Sequence, residues 1–374
     1  MQKIRQSEPY ISTYLHAKGR KLGLPIAGNF ELTARCNFNC PMCYVHLSNE
    51  QVAQRGGELT AQQWLDIARE AQKRGMIFAL ITGGEPLIRK DFFEIYDGMR
   101  EMGLMISINT NGSMIKGKIL EHFLEYPPFR FNISLYGGCN ETYQSMCGQP
   151  VYDQVKESIR ALRQAGIDVS LNLSVTPFNC KDLPQIYADA LELDVNVKAS
   201  SYMYPPIRIN DEQFGCGTRL TAKEAAAYSV QWDLLRFTEE EFDARAKNMA
   251  NLVLEDREGC PVEEGEGVRC RAGSSSFWMT WDGKMLPCGM MTAPVAYPLE
   301  NGFEAAWETI KEETGKIHTP AKCVSCEYKN ICGTCAAVAF TETGRFDEVP
   351  TYMCERAKEI LKQTQQVWEE RNRK

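Results

Sequence analysis

Residues 30–44 read Phe30-Glu31-Leu32-Thr33-Ala34-Arg35-Cys36-Asn37-Phe38-Asn39-Cys40-Pro41-Met42-Cys43-Tyr44. A short apolar run breaks into three cysteines spaced C-x3-C-x2-C. The run is the first of six strand candidates, at 30–33, 77–82, 105–109, 131–135, 169–175 and 197–202. Amphipathic stretches separate them, at 61–73, 92–101, 116–125, 152–165 and 183–191, with apolar residues at helical spacing. Several close on glycine, as in Arg74-Gly75, Met102-Gly103 and Ala165-Gly166, where the left-handed residue after a helix falls most easily. Leu59-Thr60 opens the first with an N-cap. Successive βα units imply α/β class and a parallel sheet with right-handed crossovers. Six units suit a partly closed barrel or an open doubly wound sheet, and periodicity alone does not separate the two.

The chain has 374 residues, 44% of them apolar, which is enough for one large domain and a smaller one. Four segments are expected: an N-terminal extension (1–24), the strand–helix domain (25–206), a helical connector (207–259) and a cysteine-rich domain (260–374). In the connector a helical run from 222 to about 255 carries Trp232, Leu234, Leu235 and Phe237 as its apolar face. Net charge is −7 with no basic run, so no nucleic-acid partner is expected. No apolar stretch is long enough to span a membrane, and residues 1–21 lack the apolar core of a secretory signal. A cytoplasmic location follows as an expectation. Fifteen cysteines in such a compartment point to metal rather than disulfides. With only His16, His46, His122 and His318 available, a cysteine-ligated metal fits best.

Cys36, Cys40 and Cys43 can hold three corners of a cubane 4Fe–4S cluster and leave the fourth iron open to a ligand. The competing reading is zinc, which wants a closed tetrahedron and would draw on His46. Loops that follow parallel strands gather on the face where catalytic groups sit, and the other distinctive loops fall there too. They are Gly83-Gly84-Glu85-Pro86, Asn109-Thr110-Asn111-Gly112 and Ser134-Leu135-Tyr136-Gly137, with Asn172 and Ser174 on the fifth strand. The glycines allow close backbone approach, and Glu85 is a carboxylate able to accept from an ammonium group. Each loop alone reads as turn chemistry; their joint placement with the cysteines carries the signal.

From about Asn29 to Tyr204 the sequence resembles the radical S-adenosylmethionine (SAM) superfamily, through the three-cysteine loop, Gly83-Gly84-Glu85-Pro86 and Ser134. The resemblance implies a partial (β/α)6 TIM barrel. It implies that Cys36, Cys40 and Cys43 hold a catalytic 4Fe–4S cluster whose open iron chelates S-adenosylmethionine. Gly83, Gly84, Glu85 and Pro86 would then bind the cofactor's amine, and Ser134, Asn109 and Asn172 its ribose or carboxylate. Met42 would pack near the adenine, at a position often aromatic in the family. Some relatives carry an arginine just before the glycine matching Gly148, and here Cys147 stands in its place. The implied chemistry is reductive cleavage of the cofactor to a 5′-deoxyadenosyl radical that abstracts hydrogen from substrate.

Farther on, Cys270-x12-Gly283-x4-Cys288 precedes Cys323-x2-Cys326-x5-Cys332-x2-Cys335 and then Cys354. On its own, the paired C-x2-C segment also reads as a zinc ribbon. The whole pattern resembles the SPASM domain attached to some radical SAM enzymes, with a final short spacing of two residues where three is usual. That resemblance implies two auxiliary 4Fe–4S clusters, three clusters in all. Cys270, Cys288 and Cys335 would hold the first, completed by Cys260; Cys323, Cys326, Cys332 and Cys354 would hold the second. Cys139 and Cys180 read as packing residues, while Cys147 and Cys216 are candidates to donate a hydrogen atom or to bind substrate. Enzymes of this combination act on a peptide or protein, resembling sulfatase-maturating enzymes and maturases of ribosomal peptides; the alternative is a small molecule such as a carbohydrate or haem precursor. The residues before 25 are too few for a separate leader-binding domain. A reductant such as flavodoxin or ferredoxin is the implied partner.

Overall fold

The computed structural model describes residues 10–205, 217–254 and 265–373. Six parallel strands run in sequence order: β1 (Ala27–Glu31), β2 (Phe78–Thr82), β3 (Met105–Thr110), β4 (Arg130–Ser134), β5 (Val169–Ser174) and β6 (Asn196–Ser200). They form the partial barrel with helices between them. Two further strands, β7 (Ser276–Met279) and β8 (Met285–Leu286), extend the sheet beyond β1, giving the order β6-β5-β4-β3-β2-β1-β7-β8. β7 runs parallel to β1, with Asn29 opposite Trp278, and β8 turns back antiparallel to β7. The sheet thus crosses the boundary drawn at residue 260. Gly283 makes the β7–β8 hairpin possible: its φ is +87°, a conformation that a side chain resists, and its N–H donates to Thr280 O at 3.0 Å.

The strands are not uniformly apolar. One face carries Phe30, Ile81, Ile106, Ile108, Phe131, Ile133, Leu171 and Phe277, all buried, and the helices pack on it. Phe30, for example, meets Trp64 and Phe277 edge-on at 6.1 and 5.9 Å. Large side chains buried this fully contribute about 1.5–3 kcal/mol each. The opposite face lines the barrel interior and is polar. One register row across it holds Glu31, Thr82, Asn109, Asn132, Ser170 and Asn196, and the next holds Ser134, Asn172 and Lys198. Sheets covered by helices on both faces have continuous apolar strands. Alternation here means that the inner face is reserved for something other than helix packing.

Capping boxes open the helices Ala61–Lys73 and Ala222–Arg236, from Thr60 to Gln63 and from Thr221 to Glu224. The connector's helical run is two helices, Ala222–Arg236 and Glu239–Leu254. Thr238 and Glu241 cap each other's backbone at the break. Trp232 is buried but Leu234 is 38% exposed, because at helical spacing it projects away from the Trp232 side. The expected apolar face therefore does not include Leu234. Residues Tyr10–Leu22, expected as a polar extension, form a helix with His16 buried against Ser275 (3.0 Å) and Phe78. The C-terminal helix Thr351–Asn372 packs along Ala222–Arg236. Among the described residues no helix is long and apolar enough to cross a membrane.

Candidate active site

The three-cysteine loop leaves β1 at the C-terminal ends of the strands. Its base is tied down by charge. Arg35 donates to both carboxylate oxygens of Glu58, at 2.9 and 2.7 Å. Arg89, 7% exposed, reaches the carbonyls of Leu32 and Leu59 at 2.8 and 2.9 Å and pairs with Asp91. Within the loop, backbone amides point at sulfur: Phe38 N–H donates to Cys36 Sγ at 3.4 Å, and the amides of Val45 and His46 donate to Cys43. His46 thus meets Cys43 through its backbone. A second set of contacts holds Asn37, whose Oδ1 accepts from Asn111 (2.9 Å), whose Nδ2 donates to Ser113 (2.9 Å) and whose carbonyl accepts from Gln149 (2.6 Å).

Gly83-Gly84-Glu85-Pro86 lies directly on this loop. Gly84 N–H donates to Thr33 O at 2.8 Å and Glu85 N–H to Arg35 O at 2.9 Å. A Cβ on Gly83 would stand 2.5 Å from Thr33 O, and one on Gly84 2.2 Å from Arg35 O. Glycine is required there by the cysteine loop itself. The Glu85 side chain departs from expectation. It is fully buried and accepts from Leu87 N–H (3.1 Å), Thr110 Oγ1 (2.9 Å) and Asn111 N–H (2.8 Å). Burial pushes its carboxyl up to about 7, against the pull of those donors. A carboxylate so enclosed is a brace between two loops.

Ser134 and Asn172 are register partners across β4 and β5, and Asn109 stands opposite Asn132 on β3, with Asn132 Nδ2 donating to Asn109 Oδ1 at 2.9 Å. All share the inner face. The Ser134 hydroxyl is hydrogen-bonded to Tyr136, whose phenol lies near Cys40, Cys43 and Cys147. Met42 is half-buried against the core. Cys147 closes the helix Asn140–Cys147, is fully buried, and its thiol hydrogen-bonds Cys40. It therefore does not line the interior as a hydrogen donor to substrate would. Cys216 and Cys260 lie outside the described residues.

The described C-terminal cysteines, Cys270, Cys288, Cys323, Cys326, Cys332, Cys335 and Cys354, line one cavity of about 490 Å³. They gather in two groups. Cys323 lies within electrostatic reach of Cys326, Cys332 and Cys354, and the hydroxyl of Tyr204 lies among Cys270, Cys288 and Cys335. None of these thiols is in a disulfide. Burial raises Cys36 to about 12 and Cys43 to about 11, so thiolates at this loop need a cation beside them. Three free thiols on one loop, served by N–H···S bonds, are a donor set that fits an iron–sulfur cluster. Sequence reasoning quoted Tyr136 and Asn37 only within their motifs and Tyr204 only as a boundary, since none carries a metal-ligand spacing.

Residues 30–190 match the model of the radical SAM superfamily. The AdoMet-dependent heme synthase of Methanosarcina barkeri is 26% identical over 341 residues, 86% of this chain and 94% of the relative. That of Oleidesulfovibrio alaskensis is 26% identical over 84% of this chain and 83% of its own. Among solved structures, Streptococcus suis SuiB bound to S-adenosylmethionine has a TM-score of 0.61 at 17% identity, covering 94% of this chain and 82% of its own. Native anSMEcpe with bound AdoMet has a TM-score of 0.67 at 17% identity, over 92% and 100%. At these identities the structures share the fold.

Proposed function

Since residues 30–190 make this chain a member of the radical SAM superfamily, we propose that it binds S-adenosylmethionine at the Cys36/Cys40/Cys43 loop and abstracts hydrogen from a peptide or protein. A 4Fe–4S cluster held by Cys36, Cys40 and Cys43 would supply the reducing electron for cleavage of S-adenosylmethionine to methionine and a 5′-deoxyadenosyl radical. The chain's own part is positional. Gly83 and Gly84 offer backbone to the cofactor's amine, with Glu85 and Pro86 shaping that segment. Ser134, Asn172 and Asn109 offer hydrogen-bonding groups for its ribose and carboxylate, and Met42 a polarizable surface for its adenine. Cys323, Cys326, Cys332 and Cys354 would hold one auxiliary cluster, and Cys270, Cys288 and Cys335, with Cys260, another. A flavodoxin or ferredoxin would deliver the electron.

The observation that carries the peptide reading is the inner face of the sheet. Amide and hydroxyl side chains dominate it, and they match the donors and acceptors of a peptide backbone. Its charged members are few: Glu31 accepts from Trp278 Nε1 at 3.0 Å and Arg130 pairs with Asp168 at 2.6 Å, leaving Lys198. The fold is that of SuiB, solved with its precursor peptide SuiA, and of anSMEcpe, solved with a peptide.

A haem precursor is the second reading. The heme synthases match over most of both chains. A cavity of about 720 Å³ beside Cys270 and Cys288 also carries Arg20, Arg269 and Arg271, cations suited to a polycarboxylate. The deciding experiment measures 5′-deoxyadenosine from the anaerobically reconstituted protein with reductant and S-adenosylmethionine. Wild type is expected to form it and the C36A/C40A/C43A variant to form none. Equal yields would end the radical reading. Supplying candidate precursor peptides and, separately, propionate-bearing tetrapyrroles then tells the two substrates apart by which one gains a mass change.

A further inference from the structure

Tyr204 stands four residues beyond the end of β6. Among the described residues lining the cysteine cavity, it is the one contributed by the barrel half of the chain. Its hydroxyl hydrogen-bonds Cys335 and lies within reach of Cys288 and Cys270. The ring is braced rather than loose. It packs edge-on against Tyr202 at 4.9 Å, and the Tyr202 hydroxyl donates to Glu342 at 2.7 Å. Glu342 is in turn paired with Arg219. The Arg219 guanidinium lies 3.7 Å over the ring of Tyr352, two residues before Cys354. The end of β6, the connector at Arg219 and the cysteine-rich segment thus meet at Tyr202, against which the Tyr204 ring is packed.

We propose that Tyr204 is a tuning residue for the first auxiliary cluster, its hydroxyl donating to the Cys335 sulfur and raising that cluster's reduction potential. The inference rests on the reading of Cys270, Cys288 and Cys335 as ligands. A phenol is protonated at neutral pH, its ordinary pKa being about 10, so it can act only as donor toward a thiolate. A reduced cluster carries one more negative charge than an oxidised one. A donor on its ligand sulfur therefore favours the reduced form, and hydrogen bonds to sulfur are among the levers that set such potentials. Bonds to charged groups are about twice as strong as neutral ones. Because the donor comes from the barrel, the cluster's potential is linked to how the end of β6 is seated.

The test is the Tyr204→Phe variant of the full chain, which keeps the ring and its packing on Tyr202. Wild type and variant are reconstituted anaerobically, their iron and sulfide are counted, and their clusters are titrated by electron paramagnetic resonance. Equal iron content is expected. One auxiliary signal should become harder to reduce by about tenfold, or about 59 mV for a one-electron couple, with the other signals unmoved. An unmoved midpoint in a variant with full iron overturns the proposal and leaves the ligand reading standing. Loss of one cluster's iron also overturns it, since the phenol would then be holding metal rather than tuning it. A wild type that retains the iron of one cluster alone takes down the ligand reading, and this inference with it.

Discussion

The two cysteine regions are built in opposite ways. The loop at residues 36–43 hangs from a regular strand, lies under two glycines that admit no side chain, and is fixed by a buried arginine and a buried carboxylate. The second region spans residues 321–354. Cys323 and Cys332 sit on helices of four residues, Ala321–Val324 and Lys329–Cys332, with Cys326 on the turn between them, while Cys335 caps the helix Ala336–Thr343 and Cys354 lies on the C-terminal helix. Neither four-residue helix has a buried residue. Helices this short do not stand alone. The first region is held by its own hydrogen bonds and packing, and the proposed metal would matter more to the order of the second.

Iron removal should separate the regions most widely. Metal bound to thiolates in small domains supplies on the order of 10 kcal/mol of folding free energy. Stripping the reconstituted protein with a chelator should abolish hydrogen-exchange protection across residues 321–335, while β1 to β6 keep theirs. Equal loss in both would mean that the barrel, too, depends on metal for its shape, and the contrast would fail.

Glu85 tests the first region. Its carboxyl lies at about 7 in the folded protein against about 4.3 in an open chain. Between these values the folded state binds the extra proton, so stability falls as pH rises through that window. The full swing is about 4 kcal/mol. Urea midpoints from pH 5 to 8 should decline in wild type and stay level, from a lower start, in Glu85→Gln. Parallel curves would assign the decline to another group.

Gly84→Ala acts on the same junction through sterics alone. Its Cβ would meet Arg35 O at 2.2 Å, and overpacking of this kind costs about 1–3 kcal/mol. Thermal midpoints should drop by a few degrees, and iron in the first loop should fall before iron in the second. A change confined to the second region would detach this segment from the cysteine loop.

Much of this was legible in the sequence, and the reasons differ by region. The strand–helix alternation was readable because β2, β3 and β4 run into glycine or asparagine and the long helices between the strands bury one stripe. The glycines at 83 and 84 were legible as close approach, though not what they approach. The role of Glu85 was not, because an acid in a loop looks the same whether it faces a ligand or three buried donors. Tyr10–Leu22 was missed because polar residues dominate it while His16 and Ser12 do the packing. β7 and β8 were missed because four and two residues carry too little period to read. Gly283 marked the hairpin only as part of a cysteine spacing.

Cys147 offers the finest test, since it puts a fourth thiol against the first region. It is fully buried and hydrogen-bonded to Cys40. If the contrast is sound, this thiol packs the loop from behind and leaves the fourth iron position to the cofactor. Cys147→Ala should then cost about 1 kcal/mol, the loss of one small buried group. Iron content and 5′-deoxyadenosine yield should stay within about twofold of wild type, a change no larger than that energy allows. Loss of the first loop's iron would instead make Cys147 a ligand. The cluster would then be closed by four thiolates, as in an electron carrier, and the site for S-adenosylmethionine would have to open by releasing it.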